Sequence, residues 1–298
     1  MAELAINVVT FNTLDLTLSC LRKIHEATKG LDIEIVLVDN GTDGTSAVAQ
    51  EEFPEASIHV SPWNTGFGRG HNIAAALSTA PYFLALNTDA ILNERAVLSC
   101  VQTLRLRPKL GLVSPQLIDP DGSLQPTCHP YPSASLQWVT ALRASRLIHL
   151  HPKGDGFLSG TCLFIRREAF ESVGGFDDRY PMYFEEADLG WRLRAAGWEQ
   201  DLVSSAQVVH LVGRSGGPYR RLLTAHAYQG RLRFIRDHRG RASAFSARLA
   251  LRIEGLSGKL LLAVKVASGQ VSVDDRHVIS GITTDLLRLS DPGPLPSG

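Results

Sequence analysis

Cysteine is scarce in this 298-residue sequence: Cys20, Cys100, Cys128 and Cys162 are its four, scattered without close pairing. That spacing argues against a zinc cluster or a disulfide framework and points to a reducing cytosol. Long apolar runs are missing too. Nothing approaches the roughly twenty residues of a membrane span, and no basic-then-apolar leader precedes Leu4 to Val9. The expected location is cytoplasmic, with peripheral attachment at the inner face of the membrane left open. Net charge is absent as well: thirty basic and thirty acidic residues cancel, which removes the global field that would draw nucleic acid. What the chain does have is 44% hydrophobic content and enough length for one large domain or two modest ones.

The organising stretch is Tyr82-Phe83-Leu84-Ala85-Leu86-Asn87-Thr88-Asp89, an apolar run of buried-strand length that ends abruptly with a carboxylate at its tip. In an open parallel sheet, ligands bind beyond the carboxyl ends of the strands, so Asp89 stands where a metal-bound phosphate is expected. A plain loop aspartate is the alternative. Around it the chain alternates. Residues 4–11 read as a strand, Thr13 to Thr28 as a helix, and 33–38 as a second strand ending in the Asp39 to Thr45 turn cluster. Asp39 is placed either to hold ribose or base, or to cap the turn. A third strand, 57–60, leads to Asn64-Thr65-Gly66-Phe67-Gly68-Arg69-Gly70-His71-Asn72. This reads as a loop whose glycines and Arg69 could admit a diphosphate ahead of an alanine-rich helix at 73–79. Its position after the third strand and its spacing exclude the dinucleotide fingerprint.

Helix 93–106 and strand 110–114 follow, so a mainly parallel α/β sheet is the expected architecture. Residues 126–156 read as a long irregular connection, a candidate lid or acceptor loop. Residues 157–165 then read as one strand, and 166–173 as a helix stopped by Gly174-Gly175. Glu185, Glu186 and Asp188 crowd the start of a helix running to Ala196, three acids where a cap needs fewer. Strand 207–211 delivers His210 ahead of a glycine-rich basic loop, either as a ligand or as a structural histidine. From Tyr219 to about Ala267 the pattern is helical, with arginines from Arg220 to Arg252 among Leu and Phe. Such a surface suits an anionic membrane face or a lipid diphosphate, or is simply solvated. A tail beyond Ser290 is expected to be disordered.

These motifs, in this order, resemble the family 2 glycosyltransferases of the GT-A fold, and within them the rhamnosyltransferase-like bacterial enzymes. The resemblance runs from about Ala5 to Ser215. It rests on Val9-Thr10-Phe11-Asn12, Val38-Asp39-Asn40, Asn64-Thr65-Gly66-Phe67-Gly68, Leu86-Asn87-Thr88-Asp89, Ser159-Gly160-Thr161, Gly174-Gly175-Phe176-Asp177, Tyr183 to Asp188, and His210.

It implies a catalytic domain over 1–217, with a nucleotide-sugar half (1–115) and an acceptor half (116–217), followed by a helical region at 218–290 and the tail. Thr10, Asn12 and Asp39 correspond to nucleotide-binding positions. Asn64, Gly66, Arg69, Asn72 and Asn87 complete the set expected around the donor. Asp89 and His210 correspond to the ligands of Mg²⁺ or Mn²⁺, with Asn87 standing where the family's metal motif usually has its first acid. Glu186 takes the place of the family's catalytic aspartate, with Glu185 and Asp188 as neighbouring candidates. The implied activity is inverting transfer from a UDP- or dTDP-sugar, such as dTDP-rhamnose, to a cell-envelope glycan or a polyprenyl-diphosphate-linked acceptor. Self-association is left open. The competing readings are a sugar nucleotidyltransferase, against which the missing N-terminal glycine-rich motif counts, and a non-catalytic nucleotide-sugar-binding subunit.

Overall fold

The computed structural model describes residues 2–142, 156–211 and 219–267, together with 280–281, 284 and 294–296. The Gly213 to Gly217 loop, most of the tail and the second half of the 126–156 connection lie outside them.

The first half alternates as expected. Strand β1 (Leu4–Thr10) is followed by α1 (Leu14–Ala27), β2 (Ile33–Asp39), α2 (Thr45–Glu52), β3 (Ser57–Val60), α3 (Phe67–Ala76) and β4 (Tyr82–Leu86). A two-residue strand, β5 (Ala90–Ile91), precedes α4 (Glu94–Leu106) and β6 (Leu110–Ile118). Asn93 caps α4 by accepting from the Ala96 N–H at 3.0 Å, satisfying one of the free donors of the first turn. After β7 (Cys128–Pro130) and α5 (Ala134–Ala141) come β8 (Gly156–Leu158), β9 (Cys162–Arg166), α6 (Arg167–Ser172), α7 (Glu185–Ala195) and β10 (Glu199–His210). Helices α8 (Arg220–Arg239) and α9 (Arg241–Ala267) close the described chain.

The sheet runs β3-β2-β1-β4-β9-β6-β10-β5. Pairs β1–β2, β1–β4, β2–β3 and β6–β10 are parallel, whereas β9 enters antiparallel between β4 and β6, and β5 pairs antiparallel with the end of β10. Strand β4 is buried along its whole length because helices cover both faces. Leu4, Ile6, Val8, Leu84 and Leu86 pack with α1, α2 and α4 on one side; Ala5, Phe83 and Ala85 pack with α3, α6 and α7 on the other. Each such leucine or phenylalanine contributes roughly 1.5–3 kcal/mol of burial. The mainly parallel, helix-flanked sheet is therefore the expected architecture.

Several boundaries differ from expectation, each for a local reason. The glycine-rich segment is not a loop: α3 begins at Phe67 and carries Gly68 and Gly70 inside its first turns. Those glycines serve close packing. A Cβ on Gly70 would come within 2.7 Å of the Val9 side chain, and one on Gly68 within 3.0 Å of Phe176 Cβ and 3.3 Å of Glu185 Cβ. Gly66, at φ +78°, turns the chain directly against the Pro181 carbonyl. The apolar run 157–165 breaks into β8 and β9 at Ser159-Gly160-Thr161, where β8 leaves the main sheet to pair with β7. The supposedly irregular connection contains β7 and α5, capped by Ser133. Strand β6 extends beyond residue 114 to Ile118, and the expected strand 207–211 is the end of a twelve-residue strand that stops at His210.

Candidate active site

The tips of β1 and β2 form one rim. Thr10 Oγ1 hydrogen-bonds with the hydroxyls of Thr13 (2.9 Å) and Thr17 (2.7 Å). Asn12, at φ +50°, accepts the Thr42 N–H at 2.8 Å. Both Asp39 carboxylate oxygens are taken by backbone: Oδ1 accepts from Gly41 N and Oδ2 from Ser46 N, each at 2.9 Å. The turn reading of Asp39 thus accounts for its local bonds. Asn40 ties this rim to the next segment by accepting from Thr65 N and Oγ1, and Asn64 accepts from Gly66 N at 3.0 Å. Phe11 lies against Tyr219 beside the rim, with ring centroids 5.6 Å apart.

Arg69 and Asn72 lie elsewhere. The Asn72 amide is spent on residues 176–178, donating to Phe176 O (2.9 Å) and Asp178 Oδ1 (3.0 Å) and accepting from Phe176 N (2.9 Å). Arg69 is exposed, 3.7 Å from Asp178 and above the Trp63 ring. His71 is fully buried against Phe67, and burial pushes its pKa down to about 3, so it is a neutral core histidine.

Strand pairing builds the centre. His210 stands opposite Ala90, and Asp89 O accepts the Leu211 N–H at 2.8 Å, which fixes the two residues side by side. His210 Nε2 is 3.4 Å from Asp89 Oδ1, and both residues are largely buried. Gln125, which nothing in the sequence singled out, orients the ring. Its Nε2 donates to Asp119 Oδ1 and to His210 O, each at 2.8 Å, so its Oε1 faces His210 Nδ1 at 2.9 Å and must accept from it. Nε2 then faces Asp89. A carboxylate beside an imidazole whose far nitrogen is held by an acceptor is a donor set that fits Mn²⁺ or Mg²⁺. Among the described residues no third His, Cys, Asp or Glu joins them. Asn87 donates its N–H to Thr161 O at 3.0 Å, tying the β4 tip to the break between β8 and β9.

The acids of α7 divide into two kinds. Asp188 is 2% exposed and fully committed, accepting from Arg192 Nε at 2.6 Å and pairing with His238 Nε2 at 2.8 Å. Arg192 also donates to Val173 O and Gly175 O, so this cluster fastens α7 to α8 and to the turn after α6. Glu185 and Glu186 are the reverse: each has a buried Oε2 without a hydrogen-bond partner among the described residues. Burial, then the Glu186 charge, pushes the Glu185 carboxyl well above its ordinary value. Burial pushes Glu186 up to about 7, opposed by the N–H groups of Glu186, Phe184 and Ala187. Gly160 faces Glu186, whose Cβ would lie 3.8 Å from a Cβ placed there.

Tyr183 joins the two halves. It and Phe184 hold left-handed backbone at φ +69° and +71°, costing about 1–3 kcal/mol each. The turn persists because Gly230 of α8 seats against the Tyr183 carbonyl, which a Cβ would approach within 2.6 Å, while Arg231 covers the Phe184 ring. The Tyr183 phenol is pushed upward by burial and then by Glu185, Glu186 and Asp89, so all three carboxylates lie within electrostatic reach of it. Sequence reading included Tyr183 in the motif of the acids but gave it no role, although it lies two residues before Glu185.

Residues 5–174 match the family described as Glycosyl transferase family 2. The chain belongs to this family. It is a glycosyltransferase, as the resemblance implied. It is 35% identical over 211 residues to the N-acetylglucosaminyl-diphospho-decaprenol L-rhamnosyltransferase of Mycobacterium tuberculosis, covering 62% of this chain and 68% of that protein. It is 25% identical over 213 residues to the O-antigen biosynthesis protein RfbC of Myxococcus xanthus, covering 66% of this chain and 16% of that one. Among solved structures it resembles the mannosyltransferase PcManGT from Pyrobaculum calidifontis in complex with GDP-Man and Mn²⁺. The TM-score is 0.61 at 18% identity, covering 96% of this chain and 85% of that one. At that identity the likeness is one of fold, and it matches the expected GT-A architecture. In this glycosyltransferase, no described helix is long and apolar enough to cross a membrane.

Proposed function

We propose that this glycosyltransferase moves rhamnose, with inversion, from a dTDP- or UDP-linked donor to a polyprenyl-diphosphate-linked glycan acceptor in cell-envelope assembly. The observation that carries this reading is Asp89 set 3.4 Å from His210 Nε2, with Glu186, whose Oε2 has no hydrogen-bond partner among the described residues, on α7. The sugar and the acceptor class are supported by the 35% identical relative, whose name gives both.

Asp89 and His210 Nε2 would hold Mn²⁺ or Mg²⁺, with donor diphosphate oxygens completing its coordination. Such a cation would supply charge stabilisation for the departing nucleoside diphosphate. The rim of Thr10, Asn12, Asp39, Asn64 and Gly66 would seat the nucleotide. Glu186 has the free oxygen and the near-neutral pKa that general-base work at physiological pH asks for. The acceptor oxygen bonds to the anomeric carbon as the bond from that carbon to the phosphate oxygen breaks, and the hydroxyl proton passes to Glu186 Oε2. A single displacement of this kind inverts the anomeric centre. Asp188, with both oxygens engaged, is assigned to scaffolding.

The test is a transfer assay with UDP- and dTDP-sugars and polyprenyl-diphospho-N-acetylglucosamine, with and without Mn²⁺, read by mass spectrometry and NMR of the new linkage. Cation-dependent transfer of rhamnose with an inverted linkage is expected. Retention of configuration, or full activity in a chelator, would contradict the reading.

A further inference from the structure

The arginine-rich C-terminal run divides into two populations. From Arg231 onward, the arginines of α8 have partners within the protein: Arg231 donates to Gln137 Oε1 at 2.8 Å and covers the Phe184 and Tyr228 rings. Arg233 lies over Tyr180, Arg236 pairs with Asp237, and Arg239 lies over Trp191 at 4.8 Å. Helix α9 is different. Its inner face, Ala247, Ala250 and Leu251, is buried, and its one acid, Glu254, accepts from Gln137 Nε2 of α5 at 2.8 Å.

The outer face of α9 is apolar where solvent would favour polar residues. Phe245 is 74% exposed and Leu260 71%, with Leu249 and Leu256 exposed between them. At about 100° per residue these four fall within about 60° of one another on the helix surface, so they form one stripe along the helix. Arg241, Arg248 and Arg252 are exposed along one flank of that stripe, with no acid on this face. An apolar stripe with cationic guanidinium groups beside it matches the boundary of a lipid layer, where acyl chains lie beneath anionic head groups. A second copy of this chain matches it poorly. An antiparallel two-fold contact through the stripe would set Arg248 and Arg252 on the same side of the seam as those of the second copy, like charge beside like.

We infer that α9 lies flat in the surface of an anionic membrane, inserting Phe245, Leu249, Leu256 and Leu260 while Arg248 and Arg252 meet the lipid phosphates. This centres the membrane contact, expected from sequence along the whole run from Arg220 to Arg252, on one face of α9. It deepens the reading of a lipid-linked acceptor and rests on it for its purpose, since it brings the enzyme to the layer holding that substrate.

The test uses the full chain without donor or acceptor, sedimented with vesicles of phosphatidylcholine alone or mixed with phosphatidylglycerol. Binding to the anionic vesicles should be at least about tenfold stronger and should weaken as salt rises. Phe245→Ser/Leu256→Ser and Arg248→Glu/Arg252→Glu should each lose about tenfold or more, whereas Arg95→Glu, on the exposed surface of α4, should bind like the wild type. Equal sedimentation with both vesicle types, or stripe variants that bind normally, would overturn the inference. So would a wild-type dimer, seen by sedimentation velocity without vesicles, that Phe245→Ser/Leu256→Ser dissociates. With no sugar donor or acceptor present, failure of this test leaves the transfer reading intact, and failure of transfer leaves this one intact.

Discussion

Gln125 sets what His210 can offer. Because the Gln125 amide is fixed by its donations to Asp119 and to the His210 carbonyl, its oxygen accepts a hydrogen bond from His210 Nδ1, and Nε2 faces Asp89, where the proposed cation would bind. Gln125→Leu should therefore weaken Mn²⁺-dependent nucleotide binding by about 10–100-fold in calorimetry, with the fold unchanged. Asp89→Ala should abolish the metal dependence altogether. Glu185 gives a second residue-scale test. Its folded-state pKa lies above the ordinary 4.5, so the unfolded chain releases this proton first as pH rises. Stability is then fully present below that ordinary range and declines as pH climbs toward the raised folded value. Thermal unfolding should show a melting temperature that falls from about pH 5 upward, and Glu185→Gln should flatten that decline. Asp89 and His210 were legible in the sequence because each ends an apolar run of strand length. Gln125 was not, since it lies 85 residues from His210 and only the pairing of β6 with β10 brings the two segments together.

At the scale of elements, α7 is held by its third acid and aimed by its first turn. Asp188 joins Arg192 of its own helix to His238 of α8, deep in the packed layer. Asp188→Asn should cost about 1–3 kcal/mol in denaturant unfolding, because the partly buried Arg192 guanidinium loses its counter-charge, while kcat of the folded fraction changes only a few-fold. The three acids were visible as a cluster; their division into one fastener and two unpartnered groups was not, since it depends on what α8 presents. The glycine-rich stretch misled for a related reason. Its composition is that of a loop, yet Gly68 and Gly70 sit within α3 where the helix must press against Phe176, Glu185 and Val9. Gly230→Ala tests the same logic from the other side. A methyl group there would push α8 from the Tyr183 carbonyl, so it should destabilise the fold and lower transfer together.

Across the whole molecule, the alternation of strand and helix through Ile118 was readable because each apolar run had the length and period of its element. The order of the sheet was not. Strand β9 reaches its antiparallel place between β4 and β6 only after a connection of more than forty residues, and that insertion brings Thr161 and Gly160 to the tip of β4. The C-terminal helices were legible as helices, but not as partners of the core. The Tyr131 ring stacks on Phe234 of α8 at 5.8 Å, in an aromatic cluster that also holds Phe157, Tyr180 and Ala187. That cluster packs against Phe184 of the turn that precedes Glu186 and so ties the helical layer to the candidate site. The most direct measurement is the pH dependence of kcat for sugar transfer by the wild type and by Glu186→Gln, at saturating donor and cation. The wild-type rate should rise about tenfold per pH unit and level off near pH 7, where Glu186 loses its proton. Glu186→Gln should lose about a hundredfold or more of kcat, together with that rising limb, while donor affinity is preserved. A variant that keeps the wild-type rate and its rising limb would contradict the assignment of Glu186 as the base.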